Sequence, residues 1–564
     1  MRRQKLLVVA SLFLASVQLF GQQPKWAKKT AKAVFALKGF ALDGTPTGSC
    51  NGFFIGADGE SVGCFAPFRG ASRAVTVDAR GKESPVGCII GGDDMYDLAK
   101  FRVATKGAAT LQPASSLPAV GDKVWLMPYA GKKTPSAVVG EVVKTETVRD
   151  SNVYYTLRLT APIDAAGAPV LNDRGEVIGS LQRPATAADT LNYAAGIRLV
   201  AGMKATGLSI NDRALRQTRV KKALPEELDQ AVLTMYIAAQ TLDSADYASL
   251  VGDFITKFPK APDGYIYRAQ METGADRFAE AEADMEKAIG LSDKKDVAHN
   301  EYAKLIYQKE VFKSDKPYAS WSMDKAADEA DKAYETSPMP IYKELKARIR
   351  FAQKRYDEAY GLFSELATTN LRSAELFYSA SRCKELLGDT AAMVSLLDSA
   401  VCTFSKPYLK AAAPFLLARA RALVKTGQYR AAVLDFNEYE KLLPTEVGDA
   451  FYYEREQAEL EGKLFQQALD DLGKAIAINP KAAIYYAEKA MVEVRVGMFD
   501  EAESTARECI AIDGQLSDGY LFLGLAQCLK GNTTEGMENL RKAKELGNGQ
   551  ADALMEKYGE SGVK

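Results

Sequence analysis

The stretch Asp164-Ala-Ala-Gly-Ala-Pro-Val-Leu-Asn-Asp-Arg-Gly-Glu-Val-Ile-Gly179 decides how the first half of this chain is read. Asp173-Arg174-Gly175 is a turn signal set directly before the apolar pair Val177-Ile178. Outward from it, from about 30 to 205, the texture is the same: rich in Gly, Val and Thr, with short apolar runs between turns. Asn51-Gly52 precedes Phe53-Phe54-Ile55, and Asp58-Gly59 and Arg80-Gly81 are further turn signals downstream. Gly, Asn and Asp tolerate the backbone conformations that tight turns need. Many short strands at this spacing predict a sandwich or barrel.

The second half has a different texture, rich in Ala, Leu, Glu and Lys, and it repeats. A small or compact residue recurs at Ala281, Ala326, Ala359, Met393, Ala432, Ala468, Ala502 and Gly536, the last three each 34 residues apart. That is the period of tetratricopeptide repeats, each a helical hairpin. One repeat reads Tyr486, Ala490, Gly497, Phe499, Ala502 and Cys509; the next reads Tyr520, Gly524, Gly531, Gly536, Leu540 and Ala543. Small residues let the paired helices approach, aromatics fill the gap to the next repeat, and Gly ends the first helix. A weaker repeat spans 227 to 260, with Tyr247, Phe254 and Pro259.

The chain has 564 residues, with 72 Lys plus Arg against 73 Asp plus Glu. Balanced charge argues against a nucleic-acid binder, which carries a basic excess. Arg2, Arg3 and Lys5 precede the apolar run Leu6 to Phe20, with the small Gly21 next, which reads as an export leader. Removing its three cations moves the formal charge from -1 to -4. The run is short for a membrane span, so the mature chain is expected to be exported, with no integral membrane segment and the periplasm favoured over the cell surface. Seven cysteines stand at 50, 64, 88, 383, 402, 509 and 528. An oxidising compartment permits one bridge among Cys50, Cys64 and Cys88, with the pairing open. The later four read as small buried apolar residues. No metal or cofactor is expected.

The first half resembles the trypsin-like serine proteases of the HtrA type. Asn51-Gly-Phe-Phe-Ile55 is similar to the strand leading to the catalytic histidine. Where that family writes Thr-Asn-Tyr-His-Val, this chain has Gly63-Cys64-Phe65-Ala66-Pro67, so Ala66 stands at the histidine position. Tyr96-Asp97-Leu98-Ala99 resembles the segment holding the catalytic aspartate, and Val120-Gly-Asp-Lys-Val-Trp125 the strand after it. The family's Gly-Asn-Ser-Gly-Gly-Pro reads Asp164-Ala-Ala-Gly-Ala-Pro169, which puts Ala166 at the serine and Asp164 at the first glycine. Cleavage in such a site needs a base and a nucleophile. The resemblance therefore implies a pseudoprotease in which Asp97 keeps a structural hydrogen bond. The one histidine, His299, lies in the repeats and reads as packed or solvated.

The expected architecture is a leader over 1–21, a trypsin-like double β-barrel over 25–205, a connection over 206–226 with solvated cations, and an all-α solenoid of about nine tetratricopeptide repeats over 227–556. The combination resembles exported envelope proteins of the Bacteroidetes type. Placing the repeats in register puts Arg348, Arg382 and Arg421 at the position that faces the concave groove, where guanidinium forks suit carboxylates or an acidic peptide. The plainer reading pairs them with Glu344 or Glu385 on the surface. The expected function is a protein-binding scaffold, with self-association as a further outcome. The competing reading is a hydrolase using another nucleophile such as Cys64, which has no base nearby in sequence to activate it.

Overall fold

The strand-forming runs of the first half close on themselves twice. The computed structural model describes residues 23–148, 152–186 and 188–559, so the leader read over 1–21 lies outside the described residues. Strands β1 (Val34–Phe40), β2 (Pro46–Phe54), β3 (Glu60–Gly63), β4 (Arg73–Val77), β5 (Glu83–Asp93) and β6 (Leu98–Val103) form a closed barrel in the order β1-β2-β3-β6-β5-β4. Strands β7 (Lys123–Leu126), β8 (Val138–Val148), β9 (Asn152–Arg158), β10 (Pro169–Leu171), β11 (Val177–Leu181) and β12 (Leu191–Gly196) form a second, in the order β10-β11-β12-β9-β8-β7. Closure leaves no edge strand among the described strands of either barrel. Phe35, Leu37, Phe68 and Phe101 fill the first barrel, and Val124, Leu126, Tyr155 and Leu157 the second. Phe53 and Leu98 of the first barrel share a third cluster with Trp125 and Leu171 of the second. This is the trypsin-like double barrel expected from the sequence.

The stretch 206–226 packs against the first barrel. Ala214, Leu215 and Val220 join that barrel's core cluster. The Ile89 N–H donates to the Lys221 carbonyl, and the Ala223 N–H donates back to the Ile89 carbonyl, each at 2.8 Å. Arg213, Arg216, Arg219 and Lys221 keep some or all of their surface in solvent, but Lys222 is half-buried and donates to the Thr218 carbonyl. Burial holds its ammonium below the usual lysine range.

From Leu228 onward the described residues form nine helical hairpins and a closing helix, Ala551–Gly559. The chain divides into two compact units at Met271/Glu272, with the hairpin Leu228–Thr241 and Ser244–Lys257 grouped with the barrels. All eight anchor residues read from the sequence sit in second helices and are buried. In hairpin after hairpin the chain reverses through one residue with positive φ: Gly388 (78°), Gly427 (73°), Gly497 (84°) and Gly531 (93°), but also Lys354 (63°) and Lys463 (58°). The next N–H then reaches back to a carbonyl of the first helix, as Gln428 does to Leu423 and Leu464 to Glu459. Glycine enters this left-handed cap without strain, whereas a Cβ there costs about 1–2 kcal/mol. Lys463→Gly is therefore expected to stabilise the helical repeats by about 1 kcal/mol, read as a rise in the urea midpoint of the full chain.

Candidate functional site

The three positions matched to a catalytic triad gather where the two barrels meet. After β3 the chain runs through Cys64 into a short 3-10 turn, Ala66–Phe68, pinned by the buried rings of Phe65 and Phe68. Asp97 lies immediately before β6 with φ of 46°, a left-handed conformation that Asp tolerates better than most residues. Its Oδ1 accepts the backbone N–H of Ala66 at 2.6 Å. The bond ties the residue before β6 to the Ala66 turn.

Ala166 comes from the second barrel's turn before β10. It is 3% exposed and packs in the same cluster as Cys50, Cys64 and Phe65. Gly167 has φ of 81°, and a Cβ there would lie 2.2 Å from the Asn51 carbonyl oxygen, so this turn demands glycine. Side chains at 66 and 166 are methyl groups. Neither can accept a proton or attack a carbonyl. Asp164 is exposed.

Asn51 is the polar centre of this seam, a role that sequence reasoning missed. Its N–H donates to the Ala166 carbonyl at 2.7 Å, and its Nδ2 donates to the Asp164 carbonyl at 2.6 Å. Its Oδ1 accepts the Tyr129 N–H at 2.5 Å. One buried residue thus joins β2 to the turn before β10 and to the segment after β7. The signal was present: an Asn opening the otherwise apolar run Asn51-Gly-Phe-Phe-Ile55 must find partners when buried. Gln182 adds a further tie, donating to the Tyr96 carbonyl at 2.8 Å.

All seven cysteines are free thiols. Cys50 and Cys64 are neighbours, with the Cys64 N–H 3.3 Å from the Cys50 Sγ, whereas Cys88 lies on β5 beside Arg102 and Lys221. The hydrogen bond with Cys50, then burial, pushes the Cys64 thiol well above its usual range. Cys383, Cys509 and Cys528 are buried as read from the sequence, but Cys402 caps a helix end and is exposed. His299 Nδ1 lies 2.5 Å from Glu329 Oε2 within the repeats. Among the described residues no group of three or more His, Cys, Asp or Glu is arranged to hold a metal ion, and no helix is long and apolar enough to cross a membrane.

A second feature lies in the repeats. Arg382, Arg421 and Gln457, which share one register position, line a single groove of about 730 Å³. Its floor is apolar, with Met393, Leu397 and Leu417, and Tyr378 and Tyr453 stand in its walls. Arg348 is not among its lining residues; it bonds Glu344 at 2.6 Å. Arg382 pairs with Glu385, which Lys425 also contacts. Arg421 grips Glu454 with two bonds of 2.7 and 2.8 Å, which holds its guanidinium pKa above the usual arginine value. Around Glu385 two cations share one carboxylate.

A family model described as "Trypsin-like peptidase domain" matches residues 50–179, the span that holds Asn51, Ala66, Asp97 and Ala166. The chain is 30% identical over 105 residues to small glutamine-rich tetratricopeptide repeat-containing protein 2 of Saccharomyces cerevisiae, covering 19% of this chain and 30% of that protein. It is 28% identical over 111 residues to DnaJ homolog subfamily C member 7 of Homo sapiens, covering 20% of this chain and 21% of that one. The chain thus spans less than a third of the length of these relatives. Among solved structures, the Rv3671c protease from M. tuberculosis in its active form is 16% identical, with a TM-score of 0.28 over 32% of this chain and 86% of that one. At that score the likeness carries no weight. The fold class rests on the strand topology and the 50–179 match.

Removing the Asn51 side chain leaves the Asp164 carbonyl and the Tyr129 N–H at the seam without their partner. Asn51→Ala is expected to destabilise the barrels by about 2–4 kcal/mol, at ~1 kcal/mol for each lost bond with added desolvation cost. Denaturant unfolding monitored by Trp fluorescence measures it.

Proposed function

We propose that this chain is an exported scaffold that binds proteins and does not cut them. The observation that carries this reading is the site itself: Asp97 is spent on the Ala66 N–H, while Ala66 and Ala166 present methyl groups. Acyl transfer needs a nucleophile activated by a base, and neither position supplies one. The hydrolase reading through Cys64 is disfavoured because that thiol is buried and held neutral, and the thiolate is the reactive form. The charged and then apolar N-terminus supports export, with the periplasm as the destination.

Binding is assigned to the helical repeats. The apolar floor of the groove accepts hydrophobic side chains, and the cation excess around Glu385 favours an acidic segment of the partner. Each cation there is already engaged, so a ligand carboxylate competes with Glu385 or Glu454 and gains only the difference.

A serine-directed fluorophosphonate probe and a broad peptide library are expected to give neither covalent labelling nor cleavage; labelling abolished by Asp97→Asn or Cys64→Ala would establish an enzyme. On an array of acidic and neutral peptides, Arg382→Glu is expected to weaken binding of the acidic set by about tenfold, which is ~1.4 kcal/mol. Unchanged affinity removes the groove from the reading.

A further inference from the structure

Behind the groove wall lies a buried cluster in which acids outnumber bases. The helix Asp449–Glu461 carries Tyr453, Glu454 and Gln457 on the groove. Its Arg455, Glu456 and Glu459 are 2%, 0% and 2% exposed. Arg455 bonds Asp471 twice, at 2.6 and 2.8 Å, and reaches Glu440 at 2.7 Å. Glu459 Oε1 is 3.7 Å from the same guanidinium.

The helices packed around it set the charge balance. From the preceding helix Tyr429–Leu442 come Glu440 and Asn437. From the next helix, Phe465–Ile478, come Asp471 and Lys474, the latter 3.1 Å from Asp471 and 3.8 Å from Glu440. From the helix Ala483–Arg495, Glu488 adds negative field on Glu456, with Arg495 as its own counter-charge. Two cations, Arg455 and Lys474, therefore face four carboxyls: Glu440, Asp471, Glu456 and Glu459. The first two hold the cations. Glu456 Oε2 accepts the Gln457 Nε2–H at 2.6 Å, but Glu456 Oε1 and Glu459 Oε2 are buried with no hydrogen-bond partner. Ionising a carboxyl in that state costs several kcal/mol, which favours its protonated form.

We propose that Glu456 and Glu459 are a proton-operated switch: holding protons, they let the helix Asp449–Glu461 pack against Phe465–Ile478, and losing them loosens that packing and the groove wall it carries. The switch rests on the buried cluster and not on the identity of any ligand. Its working range is near neutrality. Burial, the leading cause in both cases, pushes Glu456 up to about 7 and Glu459 to about 8. In the unfolded chain both titrate near the ordinary 4.5, so the folded state carries the extra protons. Stability is therefore greatest below that value, falls as pH rises from it, and levels off once Glu459 has ionised. Across that window each retained proton changes the folding equilibrium of these helices about tenfold per pH unit.

Hydrogen exchange on the full chain at pH 6 and pH 9, corrected for intrinsic exchange, tests the switch. The helices 449–461 and 465–478 are expected to lose protection at pH 9 by at least about a hundredfold, while the helix Ala374–Leu386 keeps its own. Repeats interact with their neighbours alone, so the loss stays local. In Glu456→Gln with Glu459→Gln the difference between the two pH values is expected to lose most of its size, Glu488 keeping the remainder. Equal protection at both pH values in the native chain, or a double variant that keeps the full difference, overturns the proposal. Should the double variant fail to fold, the native chain decides by infrared spectroscopy: a protonated carboxyl band present at pH 6 and gone at pH 9 supports the switch, and its absence at pH 6 overturns it.

Discussion

The seam between the two barrels depends on one buried amide. Closing a barrel satisfies the backbone within its own strands but leaves polar groups in the turns at its rim that need other partners. Asn51 meets this need by bonding Asp164, Ala166 and Tyr129 from a single side chain. Gly167 permits the approach, because any Cβ would strike the Asn51 carbonyl. The same close fit sets the turn that presents Ala166 beside Cys64, and Asp97 holds the Ala66 turn from the other side. A site architecture is thus maintained by hydrogen bonds that have no part in proton transfer. Those bonds hold the Ala66 and Ala166 turns in place whatever the side chains at the two positions are.

The helical repeats solve a different problem. Each hairpin must bury an apolar face against its neighbour, so small residues at Ala468, Ala502 and Gly536 bring backbones together. Polar groups trapped between the helices then need partners, and the Arg419–Asp435 and Arg455–Asp471 pairs, each with two short bonds, meet that need in successive repeats. Glu456 and Glu459 each leave one buried carboxyl oxygen without a partner. The cost of burying them ionised makes the local stability depend on protons as well as on packing.

Much of this was legible in the residues. The 34-residue period located the second helices, and turn signals such as Asp58-Gly59 and Asp173-Arg174-Gly175 marked the strand ends, whereas Asn51-Gly52, read as a turn, lies inside β2 and pairs with Ala36 and Phe35 of β1. Both arise from local rules of backbone geometry. The shared helical phase of Arg348, Arg382 and Arg421 was readable because phase is local; Arg382 and Arg421 line one groove in the folded chain. What could not be read was long-range pairing. Asn51 carried no sign of its partners across the seam, and nothing in 206–226 announced that Ala214, Leu215 and Val220 pack into the first barrel's core. Cys88 looked as able as Cys64 to reach Cys50, although it sits beside Arg102 and Lys221.

By itself, the order of residues determined the double-barrel and helical-repeat classes, because periodicity and turn chemistry are properties of the chain. Only the folded molecule decided which polar groups lie buried together. Burial and partnership arise from contacts between residues far apart in sequence, and they set both the Asn51 seam and the acid excess behind the groove.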